Sequence, residues 1–278
     1  MAAQLPQSRE QVQQTLKTLG MAPRRQSGQH FLIDTEVAHD IAAAAHLQRD
    51  EPVLEIGPGL GRVTSALVET GAKITAVELD RRLAPFLAAN FSTDRVTVVN
   101  DDVFRVRLDE IFNDREYVLV SNLPYNITSL VIRNFLTLLP RPNRAALVMQ
   151  KEVAERITAP PGEMSLLSVA AQLFAEVKIV REILPKAFWP EPEVTSSLVS
   201  FRLKAGEMPD AEVKNVFRLA KIGFSARRKH VARNLASGLK LDHEEMTATI
   251  TKLGLKPLAR AQELSIQQWI ELAKQLSE

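Results

Sequence analysis

Asn122, Leu123, Pro124 and Tyr125 stand in a row behind an apolar run, Tyr117 to Ser121, that reads as a strand. The Asn122 side chain offers an amide oxygen, and Leu123 offers a backbone carbonyl. Pro124 makes the turn rigid and holds that carbonyl outward. Acceptors so placed can take the N–H groups of an amine, and Tyr125 adds an aromatic face beside them. Earlier in the chain, Glu55-Ile56-Gly57-Pro58-Gly59-Leu60-Gly61 follows a strand and opens a helix. Glycines there let a ligand come close to backbone and leave helix N–H groups free. Glu78 ends the next strand, and Asp102 follows the one after it. A carboxylate at the end of the second strand can accept ribose hydroxyls.

These residues need strands to hold them at one edge. From Pro52 short apolar runs alternate with helical segments. Strands are expected at 53–56, 73–79, 95–99, 117–121 and 145–149, with helices at 61–69, after Asp80, and at 128–139. Short helices at 152–157 and 165–174 lead to strands at 177–183 and 196–203. This order implies an α/β fold, a Rossmann-like, mostly parallel sheet with helices on both faces. The last strands, joined by a loop too short for a crossover helix, should pair antiparallel. Before the sheet, Ser8 caps a helix over 9–19 and Gly20 ends it. A basic stretch to His30 follows as an arm, and Asp34 or Thr35 caps a helix running to His46. Gly206 and Pro209 break the pattern, and only helices follow: 211–223, 227–239, 244–253 and 266–276. The division expected is an N-terminal helix and arm (1–34), an α/β domain (35–204) and a small helical domain (205–278).

Composition narrows the chemistry. The 278 residues include no cysteine, which excludes disulfides, thiolate metal sites and a cysteine nucleophile. The five histidines show no metal-ligand spacing, so no metal is expected. No apolar run is long enough to span a bilayer and no signal core opens the chain, so a cytoplasmic location is expected. A phosphate-binding NTPase loop needs Gly-x-x-x-x-Gly-Lys-Ser/Thr, but Arg62 stands five after Gly57 and no Lys-Ser/Thr follows. The dinucleotide fingerprint needs its third glycine at Arg62, which weakens a NAD or FAD site without removing it. The spacing Glu-x-Gly-x-Gly-x-Gly is the pattern of S-adenosylmethionine (SAM) methyltransferases. In such a site Glu78 accepts the ribose hydroxyls and Asp102 the adenine amino group. Asn-Leu-Pro-Tyr is similar to the Asp/Asn-Pro-Pro-Tyr motif of enzymes that methylate amino groups conjugated to a π system. The amino nitrogen of adenine is a poor nucleophile, because its lone pair is delocalised into the ring. Acceptors aimed at its hydrogens favour a more pyramidal nitrogen, and Tyr125 gives an extracted base a face to stack on. No strong base is required, so catalysis reduces to positioning and directed dipoles.

Taken together, the chain resembles the ribosomal RNA adenine dimethyltransferases of the KsgA/RsmA family from about Arg24 to its C-terminus. The carrying segments, besides the glycine-rich turn and Asn122-Leu123-Pro124-Tyr125-Asn126-Ile127, are Gly28-Gln29-His30-Phe31-Leu32, Val77-Glu78-Leu79-Asp80, Gln150-Lys151-Glu152-Val153-Ala154 and Pro185-Lys186-Ala187-Phe188-Trp189-Pro190. Phe224-Ser225-Ala226-Arg227-Arg228-Lys229 and Arg260-Ala261-Gln262-Glu263-Leu264-Ser265 extend it into the helical domain. The resemblance implies that His30, Leu32, Gly57, Gly59, Glu78, Asp102 and Asn122 hold SAM. It implies that Tyr125 and Phe188 sandwich the target adenine. It implies dimethylation of two adjacent adenosines in a 3′-terminal hairpin loop of small-subunit rRNA, on an assembling small subunit. The chain departs from the family at His30, where Asn is usual, and at Met164-Ser165, where Tyr-Gly is usual. Alternatives are a large-subunit rRNA dimethylase, a non-catalytic RNA-binding assembly factor on the same fold, and a DNA adenine or protein glutamine methyltransferase.

RNA contact is assigned to local basic patches, since the net charge is only +2. Lys214, Arg218, Lys221, Arg227, Arg228, Lys229 and Arg233 form a stretch without an acidic residue. Of these, Lys221, Arg227, Arg228, Lys229 and Arg233 are expected to grip phosphates, together with Arg24 and Arg25 in the arm. Trp189 and Trp269 read as packing residues, Phe188 as an aromatic on an exposed loop, and the chain as a monomer.

Overall fold

The computed structural model describes residues 5–22, 29–91, 94–113, 115–137, 140–204, 208–226 and 228–276. Arg24, Arg25 and Arg227 lie outside the described residues. The chain divides into two compact units, Met1–Ala154 with Lys178–Leu203, and Glu155–Val177 with Lys204–Glu278.

In the first unit, α1 (Arg9–Thr18) is opened by Ser8, whose hydroxyl accepts from Gln11 N–H while the Gln11 side chain reaches back. Its apolar side, Val12 and Leu16, packs with Phe31, Leu60 and Leu83. The helix therefore rests beside the glycine-rich turn. Then come β1 (Phe31–Leu32), α2 (Thr35–Ala44) capped by Asp34, β2 (Pro52–Ile56), α3 (Arg62–Glu69), β3 (Lys73–Val77), α4 (Leu83–Asn90) and β4 (Val96–Val99). They are followed by α5 (Leu108–Phe112), β5 (Val118–Asn122), α6 (Thr128–Thr137), β6 (Arg144–Gln150) and α7 (Lys151–Thr158). After α8 (Leu166–Phe174) the chain returns through β7 (Ala175–Ile183), β8 (Phe188–Trp189) and β9 (Ser196–Leu203).

The main sheet has seven strands in the order β4-β3-β2-β5-β6-β9-β7. The pairs β4–β3, β3–β2, β2–β5 and β5–β6 are parallel, and β6–β9 is antiparallel. The sheet is mostly parallel as expected, with β9 inserted between β6 and β7. The central strands are buried and mostly apolar, as strands covered on both faces are. Val53, Val118, Val120, Ala146 and Val148 join α2 and α3 residues in one core. Ile56 pairs with Val77, so Gly57 and Glu78 leave their strands side by side. The Ser121 hydroxyl donates to the Ile56 carbonyl at 2.6 Å and ties the end of β5 to the end of β2.

The sequence reading missed a small two-stranded sheet, β1 paired antiparallel with β8. Two residues are too few to show a period. Helix α4 begins at Leu83 and not directly after Asp80. Asp80 shapes the turn before it, accepting from Arg82 N–H at 2.9 Å with its carboxylate and from Leu83 N–H at 3.0 Å with its carbonyl.

The second unit holds α8 with α9 (Asp210–Gly223), α10 (Val231–Leu239), α11 (His243–Lys252) and α12 (Ile266–Gln275). Segment 155–177, read from the sequence as part of the α/β domain, groups with these helices. Phe174 of α8 stacks on Phe217 of α9 with ring centroids 5.9 Å apart. Met164-Ser165, the departure noted above, forms an ordered helix start in which Ser165 and Ser168 cap each other. Trp269 is fully buried, as a packing residue should be, beside Phe224. Helix α10 begins at Val231, four residues later than expected, so Arg228 and Lys229 lie in the turn before it.

Candidate active site

The carboxyl ends of β2, β3 and β5 open onto a cleft, where ligands bind in open α/β sheets. His30, Leu32, Gly57, Gly59, Glu78, Asn122, Leu123, Pro124 and Tyr125 line one part of it. Gly57, Glu78 and Pro124 also line a larger space of about 910 Å³ that holds Asp102. All seven SAM-site residues named from the sequence therefore meet in two adjoining spaces of one cleft.

The glycine turn works as its residue types demand. Gly59 has φ of +61°, and a Cβ there would lie 3.4 Å from the Phe31 ring. Gly61 has φ of +84°, and its Cβ would fall 2.5 Å from Phe91. Gly61 thus serves the packing of the turn on α4 and the residue after it. Arg62, the residue that spoiled the dinucleotide fingerprint, is buried and donates to the Pro6 carbonyl. It pins the segment leading into α1.

Glu78 accepts from Gly59 N–H at 3.1 Å and from Asp80 N–H at 2.9 Å. Burial pushes its carboxyl above the usual range, and the backbone donors oppose that shift. A carboxylate has about four lone-pair sites, so acceptor capacity remains for ribose hydroxyls. Asp102 accepts from Phe104 N–H at 3.0 Å, and Leu79, Phe104 and Leu130 give the surrounding space apolar walls. A flat base with an exocyclic amino group suits that end. Glu55, beneath the turn, is fully buried, and burial raises its carboxyl to about 8. It is held neutral over most of the acid range, with Oε2 unpartnered among the described residues.

Asn122 is the last residue of β5, and its Nδ2 donates to the His30 carbonyl at 3.3 Å. That bond fixes the amide orientation, since only the nitrogen can donate to a carbonyl. Among the described residues nothing donates to Asn122 Oδ1 or to the Leu123 carbonyl. The His30 ring is held in turn: Nδ1 lies 2.7 Å from the Pro190 carbonyl and must carry the hydrogen. His30 and Tyr125 stack with centroids 5.4 Å apart and an interplanar angle of 29°. The Tyr125 hydroxyl bonds Ser196 Oγ at 2.6 Å, and burial raises its pKa.

Beyond this pair lies a second space of about 630 Å³, bordered by His30, Tyr125, Asn126, Gln150 and Trp189. His30 and Tyr125 border both spaces, so they form the wall between cofactor cleft and second cavity. Arg9 of α1 pairs with Glu191 at its rim.

Two sequence expectations change. Phe188 is not on an exposed loop. It is 1% exposed, paired with Leu32 in the β1–β8 ladder and packed with Ile183, Ala187 and Leu198. The Pro-rich flank suggested exposure, but the ladder turns the ring into the core. Trp189 packs as expected on one side, with Leu60 and Leu83 in the cluster beneath α1, yet also borders the second cavity. Ser196 was missed, and Gln150, though it opens a segment that carries the resemblance, was given no site role, because their place beside Tyr125 follows from register alone. Among the basic residues, Lys221, Arg228, Lys229 and Arg233 are all exposed.

The model of the family described as ribosomal RNA adenine dimethylase matches residues 20–278. The chain belongs to that family. It is 38% identical over 252 residues to the ribosomal RNA small subunit methyltransferase A of Desulfitobacterium hafniense, covering 90% of this chain and 91% of that one. It is 34% identical over 267 residues to the protein of the same name from Dehalococcoides mccartyi, covering 95% and 92%. Among solved structures it is similar to the 23S rRNA methyltransferase ErmE, with a TM-score of 0.74, 27% identity and coverage of 89% and 100%. A dimethyladenosine transferase from Plasmodium falciparum shares the fold, with a TM-score of 0.75, 23% identity and coverage of 89% and 98%. The protein is thus an rRNA adenine dimethyltransferase with a Rossmann-like methyltransferase unit, and SAM is the cofactor its cleft accommodates. No helix among the described residues is long and apolar enough to cross a membrane.

Proposed function

We propose that this enzyme dimethylates the N6 amino groups of two adjacent adenosines in a hairpin loop near the 3′ end of small-subunit rRNA. Its substrate is an assembling small ribosomal subunit, and it acts as a cytoplasmic monomer. The relatives named for the small subunit support the choice of RNA. The observation that carries the chemistry is Asn122, whose amide is locked by the His30 carbonyl with Oδ1 left open.

SAM, when bound, supplies a methyl group on a sulfonium. The chain's own residues do the rest. Glu78 and Asp102, both on the cleft wall, fix the nucleoside end. Tyr125 gives the target base a face, and its bond to Ser196 holds the tip of the ring in place. Asn122 Oδ1 and the Leu123 carbonyl accept the amino hydrogens and draw the nitrogen towards a pyramidal shape. Charge is dispersed as the methyl moves, so oriented dipoles stabilise the transition state without a strong base. After one transfer a single N–H remains, and one acceptor still holds it. Lys221, Arg228, Lys229 and Arg233 contact RNA phosphates, as do Arg24, Arg25 and Arg227.

The test is transfer of labelled methyl from SAM to small subunits lacking the modification, with large-subunit RNA and duplex DNA in parallel. Dimethyladenosine at two adjacent positions of the small-subunit RNA is expected. Label confined to large-subunit RNA would replace this substrate with the other.

A further inference from the structure

The second cavity contains a polar side chain to which the mechanism so far gives no task. Gln150 ends β6, a strand flanked by β5 and β9. Register places it closely. Asn122 pairs with Val148 across β5 and β6, and strand residues two apart share a face. Gln150 therefore lies on the Asn122 face, two residues further towards the cleft. Its antiparallel partner is Ser196, the residue that holds Tyr125. Gln150 borders the same 630 Å³ space as Tyr125 and Asn126 and is half-buried. Among the described residues its side-chain amide meets no hydrogen-bond partner. A half-buried amide with open donors and acceptor, facing a cavity walled by an aromatic ring, suits the edge of a base.

Resting on the dimethyladenosine reading above, we propose that Gln150 donates its side-chain N–H to a ring nitrogen of the target adenine while the ring lies on Tyr125. The exocyclic hydrogens belong to Asn122 Oδ1 and the Leu123 carbonyl. What the base still offers beside its amino group is an acceptor, N1 on one flank or N7 on the other. Gln150 Nε2 meets one of them and fixes the in-plane rotation of the ring, which stacking alone leaves free. This bond does not use the N6 hydrogens. It serves the first and the second transfer equally, whereas the acceptors around N6 lose one hydrogen between the two.

The experiment measures methyl transfer by wild type and Gln150→Ala to small subunits carrying adenosine, 1-deazaadenosine or 7-deazaadenosine at the target positions. With adenosine, Gln150→Ala should lower kcat/KM roughly tenfold, the worth of one neutral hydrogen bond. The loss should be equal for both methyl groups, with SAM affinity unchanged. On one of the two deaza substrates, variant and wild type should be equal, because the acceptor Gln150 reads is gone. Gln150→Glu keeps the shape and removes the donor, so it should fall at least as far as Gln150→Ala and guards against a variant that fails to fold. Wild-type rates for both variants on adenosine would overturn the proposal. So would a tenfold loss that persists on both deaza substrates. Failure of the wild type itself to label the adenosine-bearing subunit would instead sink the substrate reading.

Discussion

At the strand ends, polar side chains are tied down before any ligand arrives. Glu78 takes two backbone N–H groups, Asn122 holds the His30 carbonyl, and Tyr125 is fastened to Ser196. On the helical unit the reverse holds. Lys214, Lys221, Arg228, Lys229 and Arg233 are exposed, and among the described residues none has an acidic partner within 4.0 Å. The first arrangement fixes direction, which chemistry on one nitrogen requires. The second supplies charge without direction, which suits a phosphate backbone and carries no base choice. Substitutions in the two regions should therefore be told apart by what they change, rate in one and salt-dependent affinity in the other.

The sharpest break should come from Asn122→Ala. Loss of a directed acceptor costs about 10²- to 10³-fold in kcat by analogy with oxyanion-hole donors. Calorimetry should show SAM affinity falling far less than turnover. Full turnover by this variant would remove the directed-dipole mechanism.

Next, Tyr125→Ala should lower kcat/KM on rRNA by about 1–3 kcal/mol, one base–aromatic stack. Tyr125→Phe keeps the ring and loses only the Ser196 tether, so it should retain most activity. Phe188→Ala should act differently, since the ring is in the core. It should lower the melting temperature, by an amount corresponding to about 3–5 kcal/mol. Normal stability with lost base binding would restore Phe188 to the base pocket.

Gly61→Ala tests the packing role of the third glycine. With φ of +84° and a Cβ 2.5 Å from Phe91, it should destabilise by about 1–3 kcal/mol in denaturant melts. On the helical unit, Arg228→Glu with Lys229→Glu should weaken rRNA binding and make its salt dependence shallower, leaving SAM affinity intact. An unchanged salt slope would take this turn off the RNA surface.

A further contrast is a matter of pH. Burial raises the Glu55 carboxyl from 4.5 to about 8, so between those values the folded state keeps a proton that the unfolded chain has lost. Its contribution to stability is full below about 4.5 and fades as pH rises towards 8. Glu55→Gln has no such proton. Its melting temperature should therefore gain on wild type as pH rises from about 5 to about 8.

Much of this was legible from residue types. The glycine turn, Glu78, Asp102 and Asn-Leu-Pro-Tyr each sit at a strand end, and apolar runs with punctuating glycines mark those ends reliably. The mostly parallel sheet and the run of helices after Pro209 followed the same alternation, whereas the strand order and the place of β9 beside β6 did not. Local pattern could reach no further than single elements. Whether Phe188 faced solvent or core depended on its ladder with Leu32, a partner more than 150 residues away. The same holds for Ser196 and Gln150, given no site role from sequence and brought to Tyr125 by the register of β6 with β9. Only tertiary structure also decided that segment 155–177 groups with the helices behind it. Residue chemistry and short-range period set which groups can act. Long-range pairing decides which of them meet, because facing a cavity or a core is a property of the partner strand and not of the residue.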